Sequence, residues 1–252
     1  MKHDRMLLAH LMRRAGFGVS PTELDGRVKI GYEHTVDELL NPEAHGIPKF
    51  DEGIMYRHFQ GFRNPGNPIN MQANWMHRMI NTPRPLEEKM VLFWHQVFAT
   101  GFSKVDNGNQ MLAQIDMFRR HGMGKYKDLL MELAKDPAMI FWLDNNENHK
   151  DAPNENWGRE LLELFSMGQG NYTEQDVKEC ARAFTGWTIG PKLPRNPYGR
   201  FLWNFEYKGE DHDNDEKVFL GHKGNLNGED IIEIILGEQA TARFIARHLY
   251  NY

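Results

Sequence analysis

The sequence predicts a mainly α protein, an irregular multi-helix single domain over residues 1–252 with one small β-hairpin near residues 201–220. Three observations predict it. Side-chain acceptors followed three residues later by a carboxylate recur as helix starts, because the pair satisfies amide donors that a first turn leaves orphaned. Apolar residues return at spacings of three and four along most of the chain. Only after Gly199 does the period change to two, where Phe201, Trp203, Phe205 and Tyr207 alternate with other residues.

In chain order, Ser20 caps a helix, Pro21 takes its first position, where a missing N–H costs nothing, and Gly31 stops it. Thr35 with Glu38 predicts a second box and a short helix ending near Asn41-Pro42. A loop rich in Gly, Asn and Pro over 61–70 precedes a core stripe of Met71, Trp75, Met76 and Met79 at helical spacing. Thr82-Pro83 opens a helix to about Ala99. Further helices are expected over 107–121 and 125–135, and Asp136-Pro137 restarts a short turn. Helices over 154–167 and 173–184 are stopped by Gly168 and Gly186. The alternating stretch ending at Tyr207 pairs with Val218-Phe219-Leu220 around an acidic loop, and 227–236 and 241–252 return to helix.

Composition narrows the function. Hydrophobic residues make up 40% of the chain besides 23 Gly, a globular composition rather than a disordered one. A net charge of −5, with 30 basic residues dispersed among 35 acidic ones, offers no stripe for a phosphate backbone, so no nucleic-acid partner is expected. The single Cys180 excludes a disulfide framework and a thiolate metal site. No run approaches the roughly 20 apolar residues of a membrane span. Met1-Lys2-His3-Asp4-Arg5 leads into no signal sequence, so the chain reads as cytoplasmic with no membrane partner. Serine elbows, phosphate loops and dinucleotide fingerprints are absent. None of the 12 His follows a Glu by three residues, which removes the Glu-x-x-His pair of di-iron bundles.

Three constellations hold residues suited to chemistry. Glu88 and His95 lie seven residues apart on the helix from Leu86 to Phe98, nearly in line and opposite the stripe of Leu86, Met90, Phe93, Trp94 and Val97. That pair suits a base with its orienting group, a metal ligand pair, or a satisfied structural His. Glu155, Arg159 and Glu163 are spaced as a salt-bridge ladder, while Glu160 falls at the border of the buried face set by Trp157, Leu161, Leu164 and Phe165. Glu160 is therefore the carboxylate expected to be half-buried, with a raised pKa or a metal. The loop ahead of it, with Asn145 and Asn148, carries the polar density of a binding loop or of ordinary turns. Finally, Asp211, Asp213 and Asp215 copy the start of a calcium loop, but Glu216 stands where Gly is needed and His222 where Glu is needed. His212-Asp213 stays as a candidate ligand or catalytic pair.

These segments resemble a bacterial family known as domain of unknown function 1800. The resemblance rests on His10-Leu11-Met12-Arg13-Arg14-Ala15-Gly16-Phe17-Gly18, Phe93-Trp94-His95 through Thr100, Asp136-Pro137-Ala138-Met139, Pro153-Asn154-Glu155-Asn156 through Phe165, Gly170-Asn171-Tyr172-Thr173 through Trp187, and His212-Asp213 through Gly221. Where the family often reads Phe-Trp-x-x-His-Phe, this chain has Val97 in the His position and keeps His95. The resemblance implies a family that continues past residue 252, so a C-terminally truncated chain is expected. It also implies members that are often exported and a protein partner of a sulfatase-like family. It assigns no reaction.

The residues are thus expected to converge on one cleft. Catalysis falls to Glu88, His95 and Glu160, and substrate binding to Asn145, Asn148, Glu155 and Arg159. A divalent zinc, manganese or iron ion would sit on His95, Glu160, His212 and Asp213, which offer only nitrogen and oxygen donors. The preferred reading is an enzyme of unknown substrate that uses a carboxylate and His cleft, with or without a metal; the alternative is a non-catalytic binding or scaffold protein whose Asn, Glu and Arg block is structural.

Overall fold

Fourteen helices and four short strands account for the regular structure among the described residues, which in this computed structural model are 2–63, 67–190 and 202–252. Phe201, the first residue of the expected hairpin, lies outside them. The mainly α expectation is met. The chain divides into two compact units, Met1–Leu92 and Phe93–Tyr252.

The first unit holds α1 (Lys2–Arg14), α2 (Pro21–Ile30), α3 (Tyr32–Leu40), α4 (Glu52–His58), α5 (Pro68–Asn81) and the start of α6 (Pro85–Val97). Ser20 caps α2 as expected, its hydroxyl accepting from Glu23 N at 3.2 Å. Gly31, at φ 95°, closes that helix and also opens α3. Thr35 is therefore inside α3 rather than its cap, with its hydroxyl donating back to Gly31 O at 2.8 Å. On α5 the buried face is Met71, Asn74 and Arg78, and Met76 is exposed, so the methionine stripe is only partly core. Buried Arg84 donates to Ile47 O at 2.6 Å and pins the 41–50 loop. α6 starts at Pro85 rather than at Thr82-Pro83.

The second unit contains α7 (Phe102–Val105), α8 (Gly108–His121), α9 (Tyr126–Ala134), α10 (Pro137–Trp142), α11 (Asn156–Glu163), α12 (Glu174–Ala183), α13 (Gly228–Gly237) and α14 (Gln239–Asn251). Asn107, Asp136, Thr173 and Asn227 cap α8, α10, α12 and α13. α11 ends four residues earlier than expected. An aromatic series forms the core: Phe98 meets Phe165 at 5.3 Å, Trp157 meets Phe184 at 5.6 Å, and Trp187 meets Phe205 at 5.2 Å. Gly158 lets α11 approach α12, since a Cβ there would lie 3.2 Å from Ala181 N and Val177 O.

The strands correct the expected hairpin. β1 (Trp187–Ile189) pairs antiparallel with β2 (Phe205–Tyr207), and β3 (Lys217–Phe219) pairs with β4 (His222–Gly224). No ladder joins 205–207 to 218–220. Leu220 and Gly221, at φ 47° and 81°, separate the paired Phe219 and His222. Positive φ at both central residues is the geometry of a tight two-residue hairpin turn, so β3 closes at once on β4. Asp176 Oδ1, accepting from Leu220 N at 2.8 Å, holds the non-glycine residue there.

Candidate functional site

Helix caps and tight turns bring four of the expected site residues together, and what they meet is backbone. The stretch from Ala181 to Trp187 leaves α12, turns at Gly186 (φ 76°) and enters β1. A Cβ on Gly186 would stand 2.5 Å from Lys208 O, so only glycine fits that crossing. From one side Asn145 Nδ2 donates to Trp187 O at 2.8 Å and to Phe184 O at 3.3 Å. Asn148 Nδ2 donates to Ala181 O at 2.9 Å and to Asn145 Oδ1 at 3.1 Å, while its Oδ1 accepts from Asn154 N at 2.9 Å. Both asparagines are buried, at 3% and 2% exposure. Their amides are spent on the fold.

From the other side, His212 Nδ1 lies 2.8 Å from Thr185 O. A carbonyl only accepts, so Nδ1 carries the proton and Nε2 is the acceptor of the neutral ring. Asp213 N donates to Thr185 Oγ1 at 2.8 Å, and the Asp213 carboxylate takes Arg182 Nε at 2.7 Å. Burial pushes the Asp213 carboxyl upward, but the Arg182 hydrogen bond, the Asp215 N–H and the nearby cations hold it below the usual carboxylate range. At the centre of this loop sits Lys217, wholly buried, with Nζ donating to Asp213 O at 2.5 Å and Asp215 O at 3.0 Å. Within the calcium-like spacing the backbone carbonyls of Asp213 and Asp215 thus hold an ammonium of the chain itself, while the Asp211 carboxylate pairs with His149 Nδ1 at 2.6 Å. Burial lowers the Lys217 pKa, with the Asp213 charge opposing.

The other candidates make contacts of their own. Glu88 belongs to the first unit, is 2% exposed and accepts from Trp75 Nε1 at 3.1 Å. His95, in the second unit, is half-buried, and burial lowers its pKa. Arg159 bridges Glu155 (2.9 Å) and Glu174 (2.9 and 2.8 Å) on the surface, so the ladder runs to α12 instead of to Glu163. Glu163 accepts from Gln169 Nε2 at 2.5 Å and from Tyr172 OH at 3.2 Å. Tyr172 is pushed up to about 12 by burial and then by that carboxylate. Glu160 is half-buried as expected, makes no hydrogen bond or ion pair among the described residues, and is raised by burial and then by the charge of Glu163.

The metal set is corrected. Among the described residues no three His, Cys, Asp or Glu side chains are grouped to hold an ion, so His95, Glu160, His212 and Asp213 form no such cluster. Asp213 is taken by Arg182, and His212 Nδ1 by Thr185.

Sequence reasoning missed a buried polar cluster around Asp136. Its Oδ2 caps Met139 N at 2.8 Å and accepts from Gln114 Nε2 at 2.6 Å, while Gln114 Oε1 accepts from Thr100 Oγ1 at 2.5 Å. Gln110 Oε1 in turn accepts from Trp203 N at 2.9 Å. Two glutamines four apart on the apolar face of α8 were the available signal. Burial raises Asp136 to about 7 against these donors. The folded protein therefore holds a proton there that the unfolded chain releases above 3.8, and that contribution to stability is lost as pH rises towards 7. Urea denaturation should show wild type losing about 2 kcal/mol relative to Asp136→Asn between about pH 5 and about pH 7. A pH-independent difference would contradict this protonation.

No helix of the described residues is long and apolar enough to cross a membrane. Comparison with curated proteins and with solved structures returns no match. A family model described as protein of unknown function (DUF1800) matches residues 10–252, nearly the whole chain, and the chain belongs to that family.

Proposed function

We propose that the chain is a non-catalytic binding scaffold. The observation that carries this reading is the clamp on 181–187: four residues expected to bind substrate or ligate a metal, Asn145, Asn148, His212 and Asp213, are committed to the chain's own backbone and to Arg182. Reactive groups need a substrate-facing lone pair or proton; the two asparagine amides and the Asp213 carboxylate have spent theirs, and of His212 only Nε2 is left.

The surface for a partner is on the first unit. Among the described residues, eleven of the 18 exposed large hydrophobic residues fall within Met1–Leu92, among them Ile80 at 72% and Ile69 at 69% exposure, against seven in the longer second unit. Single exposed apolar residues are ordinary, but this concentration favours a protein partner. The family resemblance supplies its class, a sulfatase-like chain. Co-expressed with such a chain, the protein should elute as a stoichiometric complex, and Glu160→Gln should leave the complex intact. Absence of a complex, or its loss in a folded Glu160→Gln variant, would contradict the scaffold reading.

Glu160 favours a second reading, an enzyme using that carboxylate, because it is half-buried, raised and lacks a hydrogen bond or ion pair among the described residues. Either way its charge is not a stabilising one. Glu160→Gln should leave the melting temperature unchanged or raise it, and Arg159→Met should cost less than about 1 kcal/mol, as surface ion pairs do. Large drops in both variants would show instead that the pair is a structural lock.

A further inference from the structure

The first unit contains a cleft of about 410 Å³ between the loop at Pro48–Asp51, α4 and the end of α5. Its walls are apolar, with Phe50, Ile54 and Phe59 among them. The polar groups on its lining are biased towards donors. Lys49 is exposed. His77 Nδ1 lies 3.4 Å from the Asn81 amide nitrogen, which donates, so Nδ1 accepts and Nε2 carries the hydrogen. The Phe50 and Phe59 rings pack on the imidazole at 6.0 and 5.2 Å and fix its plane. Asp51 is the sole carboxylate of the lining, and its Oδ1 is engaged by Ile54 N at 3.1 Å as the cap of α4.

A cleft of this size lies in the range of small-molecule sites, and hydrophobic walls lined by a few donors select an anionic head on an apolar body. We propose that it binds a small organic acid, its carboxylate held by Lys49 and His77 and its acyl or aryl portion lying against Phe50, Ile54 and Phe59. Every lining residue belongs to the first unit, and two of them, Ile54 and Phe59, are also among the exposed hydrophobic residues on which the proposed partner surface rests.

Octanoate, octanol and octylamine separate the alternatives by titration calorimetry and by amide chemical shifts on the full chain. Octanoate should saturate one site and shift amides within 48–59 and 77–83; octanol should bind at least about tenfold more weakly, and octylamine should not bind. Lys49→Met, at an exposed position that leaves the fold alone, and His77→Gln should each weaken octanoate by about tenfold. Equal binding of all three probes, no saturable binding of octanoate, or octanoate affinity unchanged in both variants would overturn the proposal.

Discussion

Asn148→Ala should lower the unfolding free energy by about 3–5 kcal/mol, since it leaves buried polar groups unpaired at about 1–3 kcal/mol each. Asn148 satisfies Ala181 O, Asn145 Oδ1 and Asn154 N at 2.9, 3.1 and 2.9 Å; the last two lose their partner outright, and Ala181 O is left with Phe184 N at 3.1 Å. With the side chain 2% exposed, water does not readily take its place. Loss of the first of these contacts also loosens the end of α12. Asn148→Asp keeps the acceptor for Asn154 N but loses both donors and buries a charge, so it should destabilise at least as much. Urea denaturation of the two variants checks this, and a cost below about 1 kcal/mol for Asn148→Ala would mean that the asparagine is not a lock.

Lys217→Met should cost about 2–5 kcal/mol, since it loses two hydrogen bonds from a charged donor worth about 1.5–3 kcal/mol each, offset in part by the desolvation of the ammonium. Methionine matches the length of the lysine stem but cannot donate to Asp213 O and Asp215 O. It also removes the cation 4.0 Å from Asp213 Oδ1, leaving that carboxylate to Arg182 and the Asp215 N–H. The burial that depresses the Lys217 pKa has a second consequence. Above its folded pKa the ammonium loses its proton in the native state first, so the desolvation penalty present at neutral pH is relieved as pH rises towards 10.5. Chemical denaturation of the variant at neutral pH tests the first effect; stability equal to wild type would contradict the assignment of Lys217 as the centre of the 213–217 loop.

What was legible in the sequence was local. Ser20, Asn107, Asp136, Thr173 and Asn227 act as caps because a cap needs only residues two or three positions away. Thr35 misled because Thr-x-x-Glu fits the inside of a helix as well as its start, and Gly31 had already begun α3. The strands were beyond period analysis. Each is three residues long, and β2 pairs backwards with Trp187–Ile189 instead of forwards. In the candidate site, the half-burial of Glu160 followed from the helical wheel. The roles of Asn145 and Asn148 did not, since their backbone acceptors in the 181–187 stretch lie 33 to 42 residues further along the chain. Lys217 was readable in part: a three-residue strand places it on the same face as buried Phe219, and the one inward charge of that strand needed a partner.

Native-state hydrogen exchange at Asn154, Asp213 and Leu220 tests the clamp most directly. These three amides lie outside every helix and strand, and each donates to a side chain: Asn148 Oδ1, Thr185 Oγ1 and Asp176 Oδ1. If the polar blocks are locks, the three should be protected to nearly the level of the α12 core and exchange only by opening that includes it. Rapid exchange at Asn154 and Asp213, at rates ordinary for surface loops, would contradict the account and return Asn148 and Asp213 to the residues available for chemistry.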